Sequence, residues 1–289
     1  MQVETTRDGV AVSGVQDFCL EHTFLCGQCF RWQPEPDGSF TGVAYGQVVN
    51  LSMDGDTLFI SNTTKEQFWS VWYPYLDLGR DYGAVKRTLS TDIQMQQALQ
   101  YGWGIRILNQ EPFECLASFV LSSQNTIPRI QKIIAAMCRL FGERISYRQK
   151  TYYTFPSAET LAALDEADLA PIKAGYRARY ILDAAKKVAS GVLDLPLLQT
   201  LPTAKARRAL LGVKGVGQKV ADCVLLFSLK KHDAFPIDVW VSRVMRALYL
   251  DAGATPKEIL ACGKEKFGDL GGFAQQYLFY YARETKLIG

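Results

Sequence analysis

A chain of 289 residues can bury one large or two ordinary cores, and 48% hydrophobic against 21% charged residues is the balance of a globular protein, not of a disordered one. The first residues lack the apolar core of a signal peptide and no run is long enough to cross a bilayer, so a cytoplasmic chain without a membrane partner is expected. A net charge of +3 does not by itself imply a nucleic acid, and seven irregularly spaced cysteines argue against a disulfide framework.

From about Val10 to Asn62 apolar residues alternate with period two, in the pairs Phe30 and Trp32, Val43 and Tyr45, Val48 and Leu51, Leu58 and Ile60. Turn signals at Pro36-Asp-Gly38 and Asp54-Gly55 separate them, which predicts an antiparallel sheet. Cys26 and Cys29 form a lone Cys-x-x-Cys, and a structural zinc would need a second close pair. Thr64 to Gln67 has the pattern of a capping box opening a helix through Phe68, Trp69 and Trp72.

Beyond Gly104 the strands are expected to stop. Helical periodicity runs over 113–123, 128–141, 158–164, 177–190 and 203–211, while 191–202 reads as an extended apolar connector. The fold class is therefore α+β, with an antiparallel sheet domain over residues 1–104 and a mostly helical domain over 105–289.

The stretch from Leu211 to Asp238 carries the chemistry. Gly215 and Gly217 bracket Val216, so the backbone there can turn sharply and approach another molecule. A helix opens at Gln218, with Val220, Ala221, Val224, Leu225 and Leu229 as its buried stripe and Lys219 in its first turn. Free N–H groups at a helix start suit a phosphate, and a lysine placed there suits nucleophilic attack. Asp238 follows Pro236 and reads as the N-cap of the helix beginning Val239-Trp240-Val241. Singly, such a lysine is usually a solvated surface residue and such an aspartate only a cap; the glycine turn, lysine and carboxylate together favour a reactive site. Residues 201–250 hold nine Lys or Arg against three Asp, a net +6, which favours a polyanion beside this turn.

Leu211 to Asp238 resembles the helix-hairpin-helix, glycine-proline-aspartate motif of base-excision DNA glycosylases. The likeness extends to Gly27-Gln-Cys-Phe-Arg-Trp32, Gln110-Glu-Pro-Phe-Glu-Cys-Leu116, Ser122-Ser-Gln-Asn125, Gly175-Tyr-Arg-Ala-Arg-Tyr180 and Gly272-Phe-Ala-Gln-Gln-Tyr-Leu-Phe279. In that order these blocks are similar to the eukaryotic-type 8-oxoguanine DNA glycosylase family within the HhH-GPD superfamily. The resemblance implies a bifunctional glycosylase and abasic-site lyase acting in base excision repair on 8-oxoguanine opposite cytosine in double-stranded DNA. It implies Lys219 as nucleophile and Asp238 as its electrostatic partner.

It further implies a base pocket of Gly27, whose carbonyl would accept the N7–H that guanine lacks, with Cys223, Gln275 and Phe279. Tyr176 would wedge into the duplex, and Arg177, Gln124, Asn125 and Arg129 would meet the orphaned partner base. Gly215, Gly217 and Trp240 complete the expected DNA contacts. No cofactor is required by the resemblance; the carbonyls of Leu211, Val213 and Val216 would hold a structural monovalent cation. The iron–sulfur cluster of endonuclease III-like relatives has no cysteine cluster to hold it after Cys262. The family carries three successive asparagines and a histidine where this chain has Gln124-Asn125-Thr126 and Trp240, which bears on the choice of partner base. Two other readings stand beside this one: an alkylpurine glycosylase, which Lys219 disfavours, and a non-catalytic hairpin binder, which has no use for Asp238, Gln275 and Phe279 together. A monomer is expected, associated with the nucleoid in a prokaryote.

Overall fold

The computed structural model describes residues 1–285 as a sheet-centred body joined to a helical one, an α+β architecture. Six antiparallel strands, β1 (Gln2–Thr5), β2 (Gly9–Ser13), β3 (Trp32–Pro34), β4 (Phe40–Ala44), β5 (Gln47–Asp54) and β6 (Thr57–Ser61), pair in the order β1-β2-β6-β5-β4-β3. Alternation sends Val10, Val12, Val49, Leu51, Leu58 and Ile60 into one core, which Phe68 and Trp72 complete. The capping box forms: Thr64 Oγ1 accepts the Gln67 N–H at 3.2 Å, and Gln67 Oε1 accepts the Thr64 N–H at 3.0 Å. Tyr45 differs from expectation. Ala44 pairs with Gln47, which leaves Tyr45 and Gly46 as a two-residue turn with φ of 50° and 71°.

Ten helices of eight or more residues follow among the described residues: α1 (Tyr82–Leu89), α2 (Ile93–Tyr101), α3 (Pro112–Leu121), α4 (Ile127–Phe141), α5 (Ala178–Ala189), α6 (Thr203–Leu211), α7 (Gln218–Ser228), α8 (Val239–Leu248), α9 (Pro256–Phe267) and α10 (Gly271–Thr285). Two expectations need correction. Within the region read as mostly helical, where strands were expected to stop, β7 (Arg144–Tyr147) and β8 (Lys150–Tyr153) form a hairpin whose turn residues, Arg148 and Gln149, adopt φ of 46° and 61° without the usual glycine or asparagine. The supposed connector contains a helix, Leu195–Thr200, because Asp194 accepts the Leu197 N–H at 2.8 Å and Pro196 suits a first turn.

Core membership also shifts the change-over between bodies. Tyr82, Leu89, Met95 and Ala98 of α1 and α2 pack in the helical core, although they precede residue 104. Phe30, expected in the sheet, instead meets Phe119 of α3 edge-on at 5.5 Å. Between the bodies lies a buried polar joint. Gln28 Nε2 donates to Thr23 O and Arg106 O, each at 2.8 Å, while Gln28 Oε1 accepts the Leu108 N–H at 2.9 Å. Such a saturated amide fixes the loop that carries it, because any displacement strands buried polar atoms.

Candidate active site

The turn after α6 is shaped by two glycines with different duties. Gly215 sits at φ +79°, a region strained for any side chain, and a Cβ there would overlap the Tyr180 ring. Gly217 is extended, caps α7 and would leave an added Cβ in open space along a groove. Val216 N donates to Val213 O at 3.1 Å. From behind, Lys187 Nζ donates to Gly212 O at 2.7 Å and pairs with Asp183 at 2.8 Å, and Asp183 Oδ2 accepts the Lys214 N–H at 2.8 Å. Helix α5 thereby holds the turn.

Lys219, in the first turn of α7, is half-buried. Its Nζ donates to Ser122 Oγ at 3.0 Å and lies 5.2 Å from the centre of the Phe119 ring. Ser122 in turn donates to Phe119 O at 2.7 Å, so its hydroxyl proton is committed and its lone pair faces the lysine. Asp238 is the N-cap of α8, accepting the Val241 N–H at 2.8 Å. Burial pushes its carboxyl above the ordinary carboxylate range, opposed by that N–H and by the charge of Lys219. The Cys223 thiol is pushed up to about 12 by burial, against the pull of Lys219, and is a neutral wall at neutral pH.

Lys219, Cys223, Asp238, Gln275 and Phe279 line one cavity of about 40 Å³ together with Gly27. Lys219, Asp238, Gly27 and Phe279 also line a groove of about 1040 Å³, into which the cavity opens. Gln275 is 4% exposed, and its Oε1 has no hydrogen-bond partner. A buried orphan acceptor facing a cavity is the arrangement a ligand N–H completes. Gly27, at φ +82°, stands against the edge of the Phe279 ring.

The groove gathers most of the expected DNA contacts. Gln124, Asn125, Gly215, Gly217 and Trp240 line it. Gln124 is held at φ +47° and Asn125 Nδ2 donates to Leu121 O at 3.0 Å. Arg129 is exposed on the first turn of α4, and Tyr176, 43% exposed, lies in the loop that carries Arg177; neither lines the groove. Arg177 departs from expectation. It is 4% exposed and spends its guanidinium on Ser123 O (2.9 Å from Nε) and Gln124 O (2.8 Å from Nη2), bracing one groove loop against another. Its planar fork meets two adjacent carbonyls, so it is not free to meet a base as placed here.

Residues 11–116 match the family model described as 8-oxoguanine DNA glycosylase, N-terminal domain, and residues 117–268 match HhH-GPD superfamily base excision DNA repair protein. The chain belongs to the 8-oxoguanine DNA glycosylase family of that superfamily. Among solved structures, it is similar to Clostridium acetobutylicum 8-oxoguanine glycosylase/lyase in complex with double-stranded DNA containing cytosine opposite 8-oxoG, with a TM-score of 0.97, 42% identity and 99% of each chain covered. A structure of MBOgg1 in complex with a low affinity DNA ligand gives a TM-score of 0.96 at 49% identity, covering 99% of this chain and 100% of that one. The Arabidopsis thaliana N-glycosylase/DNA lyase OGG1 is 29% identical over 286 residues, covering 91% of this chain and 77% of the relative.

Several residues of this family member at the site escape sequence reasoning. Ser122 touches Lys219 from 97 residues away, which no local pattern announces. Arg243 stands exposed in the groove with its guanidinium 5.8 Å from the Trp240 ring centre. Gln276 had a signal, since two adjacent glutamines in an otherwise apolar helical stretch demand partners.

Proposed function

We propose that this family member excises 8-oxoguanine from duplex DNA and then breaks the strand at the resulting abasic site. The observation that carries the reading is a single cavity that holds an amine, a half-buried carboxylate, an unpartnered amide oxygen and an aromatic ring, and opens onto a groove. Lys219, once its ammonium has given up a proton, attacks C1′ of the flipped nucleotide through the Nζ lone pair as the N-glycosidic bond breaks, and the base departs with its electron pair and takes up a proton. The carboxylate of Asp238 stabilises positive charge developing on the sugar. Ring opening converts the lysine adduct to a Schiff base, and removal of a C2′ proton then expels the 3′ phosphate. Cys223 and Phe279 sandwich the base, Gln275 Oε1 accepts from its pairing edge, and Gly27 O accepts the N7–H. The cavity is smaller than a purine, so its walls must part to admit one.

Tyr176 fills the vacated stack, and Gln124, Asn125 and Arg129 face the partner base, with cytosine preferred. The carbonyls of Leu211, Val213 and Val216 suit a monovalent cation: Leu211 ends α6 at its negative pole, and the turn already draws the Lys187 ammonium to Gly212 O. Such an ion would hold the hairpin closed and take no part in the bond changes. The test uses duplexes with 8-oxoguanine opposite each base, incubated with borohydride. A covalent adduct that requires both the lesion and Lys219 is expected, and K219Q should lower base release by at least about a thousandfold while retaining binding. Turnover retained by K219Q overturns the assignment.

A further inference from the structure

The segment from Leu25 to Gln28 is neither strand nor helix, so its shape has to be imposed by what touches it. Three of its four carbonyls are taken by side chains. Arg283 Nη2 donates to Leu25 O, Gln276 Nε2 to Cys26 O at 2.8 Å, and Gln110 Nε2 to Gln28 O at 2.7 Å. Among the described residues no donor is within hydrogen-bonding distance of the Gly27 carbonyl, and Gly27 lines the cavity. Two of the three clamps come from α10, the helix that also carries Gln275 and Phe279. Gln276 is only 2% exposed, and an apolar residue would pack an interior helix face without needing a partner. Its Nε2 is accounted for by Cys26 O, and the residue also lines the cavity beside Gln275.

We infer that Gln276 is a positioning residue for base selectivity: it fixes the Gly27 carbonyl relative to Gln275, so that one helix sets the spacing between the two edges at which the base is read. This rests on the proposed role of Gly27 O as acceptor for N7–H. Discrimination that depends on one hydrogen bond is sensitive to its length; removing the Gln276 donor frees the Cys26–Gly27 peptide, and the Gly27 carbonyl, in the next peptide and held only from the Gln28 side, shifts through a glycine φ that resists little. Gln275 keeps its place on α10 in such a variant, so recognition of the pairing edge survives while recognition of N7–H is lost.

The experiment compares Q276L and Q276M with wild type in single-turnover assays on three duplexes, carrying 8-oxoguanine, its 7-deaza analogue, or a preformed abasic site. Abasic cleavage needs Lys219 but no base, and is expected to change less than about twofold, whereas 8-oxoguanine excision falls about tenfold. The ratio of rates for 8-oxoguanine over the 7-deaza analogue, large in wild type, collapses towards one in both variants. An unchanged ratio overturns the inference, and so does equal loss of excision and abasic cleavage in both variants, which marks a purely structural role. A wild-type protein that cleaves abasic DNA but leaves 8-oxoguanine in place overturns the proposed substrate instead.

Discussion

Asp238 is asked to cap a helix and to carry charge in a half-buried cavity, and the two demands separate on substitution. Burial raises its carboxyl above the ordinary range, so the folded protein holds that proton more tightly than the unfolded chain does. The stabilising contribution is therefore complete below the unfolded pKa and is lost as pH rises through the folded one; at neutral pH the ionised group costs stability. Asparagine caps as well as aspartate. D238N should show a Tm at neutral pH no lower than wild type, yet lose about a hundredfold or more in excision rate. Thermal melts beside single-turnover kinetics check the pair, and a lowered Tm would contradict the assignment of strain to the charge. The acid limb of kcat/KM should lie above that of an ordinary carboxylate and vanish in D238N. At this scale the cap was legible, because Pro236-Ile-Asp238 before an apolar run has few other uses. Arg177 was not: an arginine beside an exposed tyrosine looks the same whether it points at solvent or at Ser123 O, and only the tertiary fold decides.

Gly215 and Gly217 read alike in the sequence, and the hairpin distinguishes them. At 215 both the positive φ and the Tyr180 ring exclude a side chain, so G215A should destabilise by about 2–4 kcal/mol. Tyr180 also ties this turn to the loop of Tyr176, whose ring stands 5.8 Å away, so the same variant should disturb both proposed DNA contacts. At 217 nothing stands where a Cβ would go, and G217A should cost less than about 1 kcal/mol, chiefly as a poorer cap. Its effect belongs to binding: the added methyl projects into the groove, where it would obstruct a phosphate bound at the N-terminus of α7. Denaturant melts and abasic-DNA affinities on both variants check this opposition. Binding unchanged in G217A would move the phosphate site off the hairpin.

The sheet was legible because period-two patterning and turn residues agree with each other, and the helical remainder because its apolar stripes are long. What stayed hidden was decided between distant segments: the β7–β8 turn lacks a glycine, and α1 and α2 join the second core although they follow the first sheet. Charge was half legible. The basic stretch 201–250 looks like one polyanion face, but several of its cations are occupied within the fold. Arg207 meets Asp222 at 2.6 Å, Lys231 donates to Gln199 O at 2.7 Å, and Arg246 gives two bonds to Ala254 O at 2.8 and 2.7 Å. Arg243 is different, exposed in the groove against Trp240. A phosphate contact releases counterions, so R243A should weaken binding equally for damaged and undamaged duplex and reduce the slope of log K against log salt by about 1. R246A removes a half-buried tether to Ala254 O at the edge of the same groove, and should lower Tm with a smaller change in that slope than R243A. Anisotropy titrations from about 50 to about 200 mM salt separate them. An unaltered slope in R243A would mean that the duplex backbone passes the groove on its other wall, by Gln124 and Asn125.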